Sequence, residues 1–114
     1  MLTFDLGRRE QGAQFAHQLR KLSCLVADMP AISNGVHPEE LIGAQTPLLD
    51  QWALARRPAP CLVGASTGHP KLVGCNRQIV TSDLWLRSGD LTWARTLSRW
   101  YRLGRPADEG GNHA

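Results

Sequence analysis

The stretch Asp90-Leu-Thr-Trp-Ala-Arg-Thr-Leu-Ser-Arg-Trp-Tyr-Arg-Leu-Gly104 decides how this chain folds, because it reads in two ways. As a helix, Asp90 is the N-cap, Trp93, Leu97, Trp100 and Tyr101 form one stripe, and Gly104 is the C-terminal stop. As strands, Leu91 to Thr96 returns against Leu84 to Arg87, and Arg99 to Leu103 forms one more strand after a break at Leu97-Ser98. The local pattern leans to the helix.

Working upstream, Ser88-Gly89-Asp90 is a three-residue hairpin connection. Cys61-Leu62-Val63, Lys71-Leu72-Val73 and Gln78-Ile79-Val80-Thr81 are short β-favouring runs with Gly, Asn, Pro and Ser between them. Such runs at close spacing predict an antiparallel meander. Leu84-Trp85-Leu86 continues the third strand past a bend at Ser82-Asp83.

The N-terminal half has a different texture. From Arg8 to Met29, the residues Phe15, Leu19, Leu22, Val26 and Met29 recur at helical spacing, which predicts a core-facing amphipathic helix. Pro30 is expected to end it. Ser33-Asn34-Gly35 is turn chemistry, and Pro38 with Glu39 and Glu40 suits a short helical turn. Thr46-Pro47 looks like a second helix start. Leu48, Leu49 and Trp52 would be its apolar side, Arg56 and Arg57 its end, and Pro58 and Pro60 its stop. The expected fold is therefore α+β: two N-terminal helices packed on a small C-terminal antiparallel sheet of four or five strands. One domain would span residues 1–106, helical over 8–57 and mainly β over 60–105, with 107–114 as a flexible tail.

A chain of 114 residues with 42% apolar content has enough material for a core. It has no continuous apolar run of about 18 residues, so no transmembrane helix is expected. Near the N-terminus the arginines follow the apolar residues, the wrong order for a secretory signal. Three cysteines, Cys24, Cys61 and Cys75, are an odd number at wide spacing. This predicts a reducing, cytoplasmic setting with the thiols as small buried hydrophobes.

Three arrangements could carry chemistry, and each has a plainer explanation. Cys61 or Cys75 with His69, oriented by Asp83, is a possible nucleophile and base, but nothing in the sequence depresses either thiol pKa. Cys61, His69 and Cys75, with Cys24 or His37, could ligate a metal, yet no close ligand pair announces a site. Gly64-Ala-Ser-Thr-Gly-His-Pro-Lys71 resembles a phosphate loop, but the glycine spacing is wrong, Pro70 removes a donor and a strand follows. No catalytic residue, cofactor or metal is expected.

Charge supplies the remaining signal. Residues 1–60 balance six basic against six acidic side chains, whereas residues 77–106 carry six arginines against Asp83 and Asp90. Arg95, Arg99, Arg102 and Arg105 are interleaved with Trp93, Trp100 and Tyr101. That combination suits a protein-binding hot spot or, less well, nucleic acid. The plain alternative is a core of tryptophans with arginine stems over their edges.

Gly68-His69-Pro70, Thr81-Ser82, and Trp93-Ala-Arg-Thr96 followed by Ser98-Arg-Trp-Tyr-Arg-Leu-Gly104 resemble a family of short, uncharacterised bacterial proteins. That family is marked by GHP, TS and terminal ART-SR-Y-LG elements. The resemblance covers about residues 61–105 and implies no activity; it implies a terminal strand closing a compact sheet. The function expected is a non-enzymatic module holding a macromolecular partner, protein more than nucleic acid, through Arg95, Arg99, Arg102, Arg105 and Trp100. A nucleic-acid binder or regulator, a mobile-element accessory or inhibitor protein, and a Cys/His enzyme are the alternatives.

Overall fold

The computed structural model describes residues 1–43, 45–71, 74 and 77–107. The chain divides into two compact units, Glu10–Arg57 and Met1–Arg9 with Pro58–Ala114.

The first unit is built on helix α1, Ala13–Ser33. The helix runs through Pro30 instead of ending there. Proline lacks only its own N–H, and the following turn closes normally: Asn34 N–H reaches Pro30 O at 2.9 Å. The true stop is Gly35, at φ 81°. Its N–H bonds Ile32 O, and Val36 N–H bonds Ala31 O, both at 3.0 Å. This pair of bonds satisfies the last carbonyls and needs a residue at ease in the left-handed region. No residue of α1 is buried; Phe15 and Leu22 of the expected stripe are half-buried, and Leu19, Val26 and Met29 are exposed. Among the described residues, no helix is long and apolar enough to cross a membrane.

Pro38–Glu40 forms a single 3-10 turn, with His37 Nδ1 accepting from Glu39 N–H at 3.2 Å. The second helix expected from Thr46 does not form. Residues 46–57 carry no helix, Gln51 sits at φ 50°, and Leu48, Leu49, Trp52 and Leu54 are all exposed. A segment this short is helical in water only when its apolar side is buried, and here that side remains in solvent.

Among the described residues the second unit holds six strands in two sheets. Strands β2 (Val63–Ser66) and β3 (Arg77–Val80) pair antiparallel from Val63↔Val80 to Ser66↔Arg77. Past Val80, Thr81 N–H reaches Leu62 O at 2.8 Å, Thr81 Oγ1 accepts from Leu62 N–H at 2.9 Å, and Leu84 N–H reaches Pro60 O at 2.8 Å. Of the run Lys71 to Val73, expected as a strand, Leu72 and Val73 lie outside the described residues, as does Cys75.

The larger sheet has the order β1-β4-β5-β6, from β1 (Leu2–Phe4), β4 (Leu84–Ser88), β5 (Trp93–Thr96) and β6 (Trp100–Arg102). β4, β5 and β6 are an antiparallel meander, while β1 lies parallel to β4 in the register Leu2↔Leu86. The expectation of two helices on a small antiparallel sheet is thus corrected to one helix with a four-stranded mixed sheet and a two-stranded sheet.

The ambiguous stretch is two strands, and its polar side chains show why. Asp90 does not cap a helix. Its Oδ1 accepts from Ser88 Oγ (2.7 Å), Thr92 Oγ1 (2.6 Å) and Thr92 N–H (3.1 Å). Ser88 Oγ in turn accepts from the N–H groups of Thr92 (3.0 Å) and Trp93 (2.9 Å). These bonds fold residues 88–92 into a turn, with Leu91 at φ 63°. The bonds from Thr92, and then from Ser88, hold the Asp90 carboxyl below its usual range. A second turn breaks the stripe after Thr96: Thr96 N–H reaches Arg99 O at 2.9 Å, and Leu97 N–H reaches Asp83 O at 2.8 Å. Ser98 N–H bonds Ser82 Oγ at 3.2 Å. Leu84, Ala94 and Thr96 are buried together on one side of this sheet.

Candidate functional site

Residues opposite one another in register share a face of a sheet. Leu2 opposes Leu86, Leu86 opposes Arg95, Arg95 opposes Trp100 and Trp93 opposes Arg102, so these side chains lie on one face, with Phe4 beside Ser88. Arg87, Ala94 and Tyr101 lie on the other. Ser88 is small, which lets Phe4 reach across β4 toward the tryptophans. Its ring meets Trp100 edge to face, with centroids 5.9 Å apart and planes at 78°. Trp93 meets Trp100 in the same manner, at 6.2 Å and 89°. Such edge-to-face pairs are the favoured aromatic geometry. Phe4, Leu6, Trp93 and Trp100 together line an open concavity of about 340 Å³ whose walls are predominantly apolar. Trp100 is 49% exposed.

Cations border this hollow. The Arg102 guanidinium lies 5.6 Å from the centre of the Trp93 ring, within cation–π range, and covers one face of the indole. Arg95 is half-buried on the same side. The structure therefore brings together three of the five side chains expected to contact a partner: Arg95, Trp100 and Arg102. Arg105 is exposed beyond the end of β6. Arg99 belongs to the opposite side, where its charge acts on His69. Phe4 and Leu6 were not expected in the site. They are absent from any motif and come to it only through the parallel pairing of β1 with β4.

On that opposite side the His69 ring stands 6.3 Å from Tyr101, tilted by 41°. His69 Nδ1 accepts from Lys71 N–H at 3.0 Å, so the neutral ring carries its proton on Nε2. Desolvation, then the charges of Arg99 and Lys71, lower the His69 pKa from its ordinary 6.5. The charged ring is thus disfavoured in the fold. Stability that depends on the neutral ring is present above the ordinary value and declines as pH falls through the lowered one. An NMR titration of His69 is expected to give a midpoint below 6.5, moving up in Arg99→Ala. An unchanged midpoint in that variant would separate Arg99 from His69.

The thiols differ from expectation. Cys24 and Cys61 are free and exposed. Cys24 lies on a helix with no buried residue, and Cys61 lies in an extended segment ahead of β2 whose residues 57–61 are all exposed. Among the described residues no three His, Cys, Asp or Glu side chains are grouped so as to hold a metal ion.

No curated protein and no solved structure matches the chain. The profile of DUF6634, a family of unknown function, matches residues 20–112, and the chain belongs to that family.

Proposed function

We propose that this member of the DUF6634 family is a non-enzymatic module that holds a protein partner through the face bearing Phe4, Leu6, Trp93, Trp100, Arg95 and Arg102. The observation that carries this reading is the apolar concavity among the four large side chains, bordered by arginine. A solvent-facing hollow lined by tryptophan is the shape that receives an apolar anchor from another protein, and Trp and Arg dominate such contacts. Nucleic acid fits less well. Bases stack on free ring faces, but Arg102 covers one face of Trp93, and Trp100 turns an edge relation to both its neighbours. The odd cysteine number and the free Cys24 and Cys61 support a reducing, cytoplasmic setting. The GHP, TS and ART-SR-Y-LG elements fit a shared structural signature, since His69 meets Tyr101 and Ser82 meets Ser98.

The test is selection of phage-displayed random peptides on the immobilised full chain. Selected peptides are expected to be acidic with an aromatic or large aliphatic centre. They should lose at least about tenfold in affinity for Trp100→Ala, as truncation of an interface anchor does. Far-UV circular dichroism of that variant should match the parent. If Trp100→Ala binds the same peptides equally well, the concavity is not the site. A twelve-nucleotide dT strand that binds instead, with affinity falling steeply between about 50 and 200 mM salt, would transfer the face to nucleic acid.

A further inference from the structure

The concavity adjoins an open sheet edge. β6 is the last strand in the order β1-β4-β5-β6, and among the described residues no strand pairs with its outer side. Its hydrogen bonding alternates. Thr96 N–H reaches Arg99 O at 2.9 Å and Leu103 N–H reaches Thr92 O at 2.8 Å, and Tyr101 lies opposite Ala94 between them. Residues 99, 101 and 103 therefore turn their backbone groups toward β5. Trp100 and Arg102 turn theirs outward, which leaves two N–H donors and two carbonyl acceptors along the edge. The same two residues carry the side chains of the aromatic face. An outward backbone ladder and an apolar hollow thus meet at Trp100.

Charge selects the occupant. From Leu91 to Ala107 the chain carries Arg95, Arg99, Arg102 and Arg105 and no acidic residue. A second copy of this chain paired edge to edge through β6 would bring a second set of the same arginines to one edge, a concentration of like charge that disfavours it. An acidic strand meets the opposite condition.

We infer that β6 receives an extended acidic segment of a partner protein as an added strand, with one large apolar side chain of that segment seated among Phe4, Leu6, Trp93 and Trp100. This deepens the protein-binding reading above and rests on it. Main-chain bonds to Trp100 and Arg102 would supply affinity independent of side chains, and the hollow would choose the residue placed opposite Trp100. Acidic residues on either side would meet Arg102 on the aromatic face and Arg99 on the other. An edge this short and this basic also repels basic strands, which limits indiscriminate pairing.

The probe is an acetylated, amidated peptide of about nine residues, valine and glutamate around a central phenylalanine, titrated into the isotopically labelled full chain. Two further peptides carry N-methyl groups on alternate backbone nitrogens, one on the odd set and one on the even set. Strand addition uses only one set. One methylated peptide is therefore expected to lose at least about tenfold in affinity while the other binds like the parent. The amides of Trp100 and Arg102 should become slow to exchange, and a lysine-for-glutamate peptide should fail to bind. Arg102→Pro, which removes an edge donor without touching the bonds to β5, should lose affinity beyond Arg102→Ala. Equal binding of both methylated peptides, with no protection at Trp100 and Arg102, overturns strand addition. If Trp100→Ala still weakens the parent peptide in that same titration, the concavity reading survives its loss. No binding of the parent peptide at millimolar concentration, or a dimer in sedimentation that exposes no Trp100 amide, likewise overturns the inference.

Discussion

Replacing Ser88 with alanine is expected to lower the stability of the sheet unit by about 3 kcal/mol, the upper range for buried polar groups that lose a partner. Ser88 has no exposed surface. Its hydroxyl accepts from the N–H groups of Thr92 and Trp93 and donates to Asp90 Oδ1. Thr92 N–H retains Asp90 as an acceptor in the variant, but Trp93 N–H loses its bond at the first residue of β5. Urea unfolding followed by tryptophan fluorescence reads this unit well, because Trp85, Trp93 and Trp100 lie in it and only Trp52 lies elsewhere. Loss of the Ser88 bond should also raise the Asp90 pKa toward the ordinary carboxylate value. Stability that depends on ionised Asp90 is present above that ordinary value and is lost as pH falls through the lowered one. In Ser88→Ala the acid-side decline should therefore be smaller and be complete at higher pH. A loss of less than about 1 kcal/mol would show that the turn does not depend on this hydroxyl.

The second large effect is expected at Ala94, where leucine should cost about 3 kcal/mol, at the top of the range for overpacking. Ala94 has no accessible surface. It occupies the middle of the sheet, with Arg87 opposite on one side and Tyr101 on the other. Three added carbons have no space there without displacing one of those side chains or bending β5. A thermal melt by near-ultraviolet circular dichroism measures the loss, and the aromatic signal itself should change as Tyr101 moves. For a small domain whose whole stability is on the order of 5–15 kcal/mol, either substitution removes a large part of it. Equal stability of Ala94→Leu and the parent would mean that this side of the sheet is not packed as described.

What the sequence made legible follows from range. α1 was readable because its stripe repeats within one element, and its true stop was visible in Ser33-Asn34-Gly35, which the proline at 30 obscured. Strand β3 was readable from β-branched Ile79-Val80-Thr81 and the turn residues around it, whereas Leu84-Trp85-Leu86, expected to continue that strand, begins β4 of the other sheet. The segment from Thr46 failed because its capping hydroxyl and prolines are local signals, whereas a short helix depends on burial that local signals do not report. The 90–104 stretch was ambiguous for the same reason. Asp90 is equally suited to a helix N-cap and to a tight turn, and the choice is made by Ser88 and Thr92, whose side chains the helical reading assigned no part.

The candidate site divides along the same line. Arg95, Trp100 and Arg102 were singled out because their segment concentrates charge and aromatic residues, and the sheet register sets them on one face. Arg99 was placed with them by proximity in sequence, but alternation along β6 turns it to the other side, toward His69. Phe4 and Leu6 were invisible, since nothing in Leu2-Thr3-Phe4 indicates which of several strands it will join.

That last pairing has a consequence during synthesis. β1 is made first, but its parallel partner β4 emerges from the ribosome only after the whole Glu10–Arg57 unit has been made. The opening residues must therefore stay unpaired while most of the chain is translated, and a contact between such distant segments closes slowly compared with the neighbouring hairpins. The meander of β4, β5 and β6 can form from adjacent segments alone, with β1 added to its margin afterwards. Two walls of the concavity, Phe4 and Leu6, are then completed last, so a nascent chain carries the tryptophans of the site before it has the hollow that gives them their use.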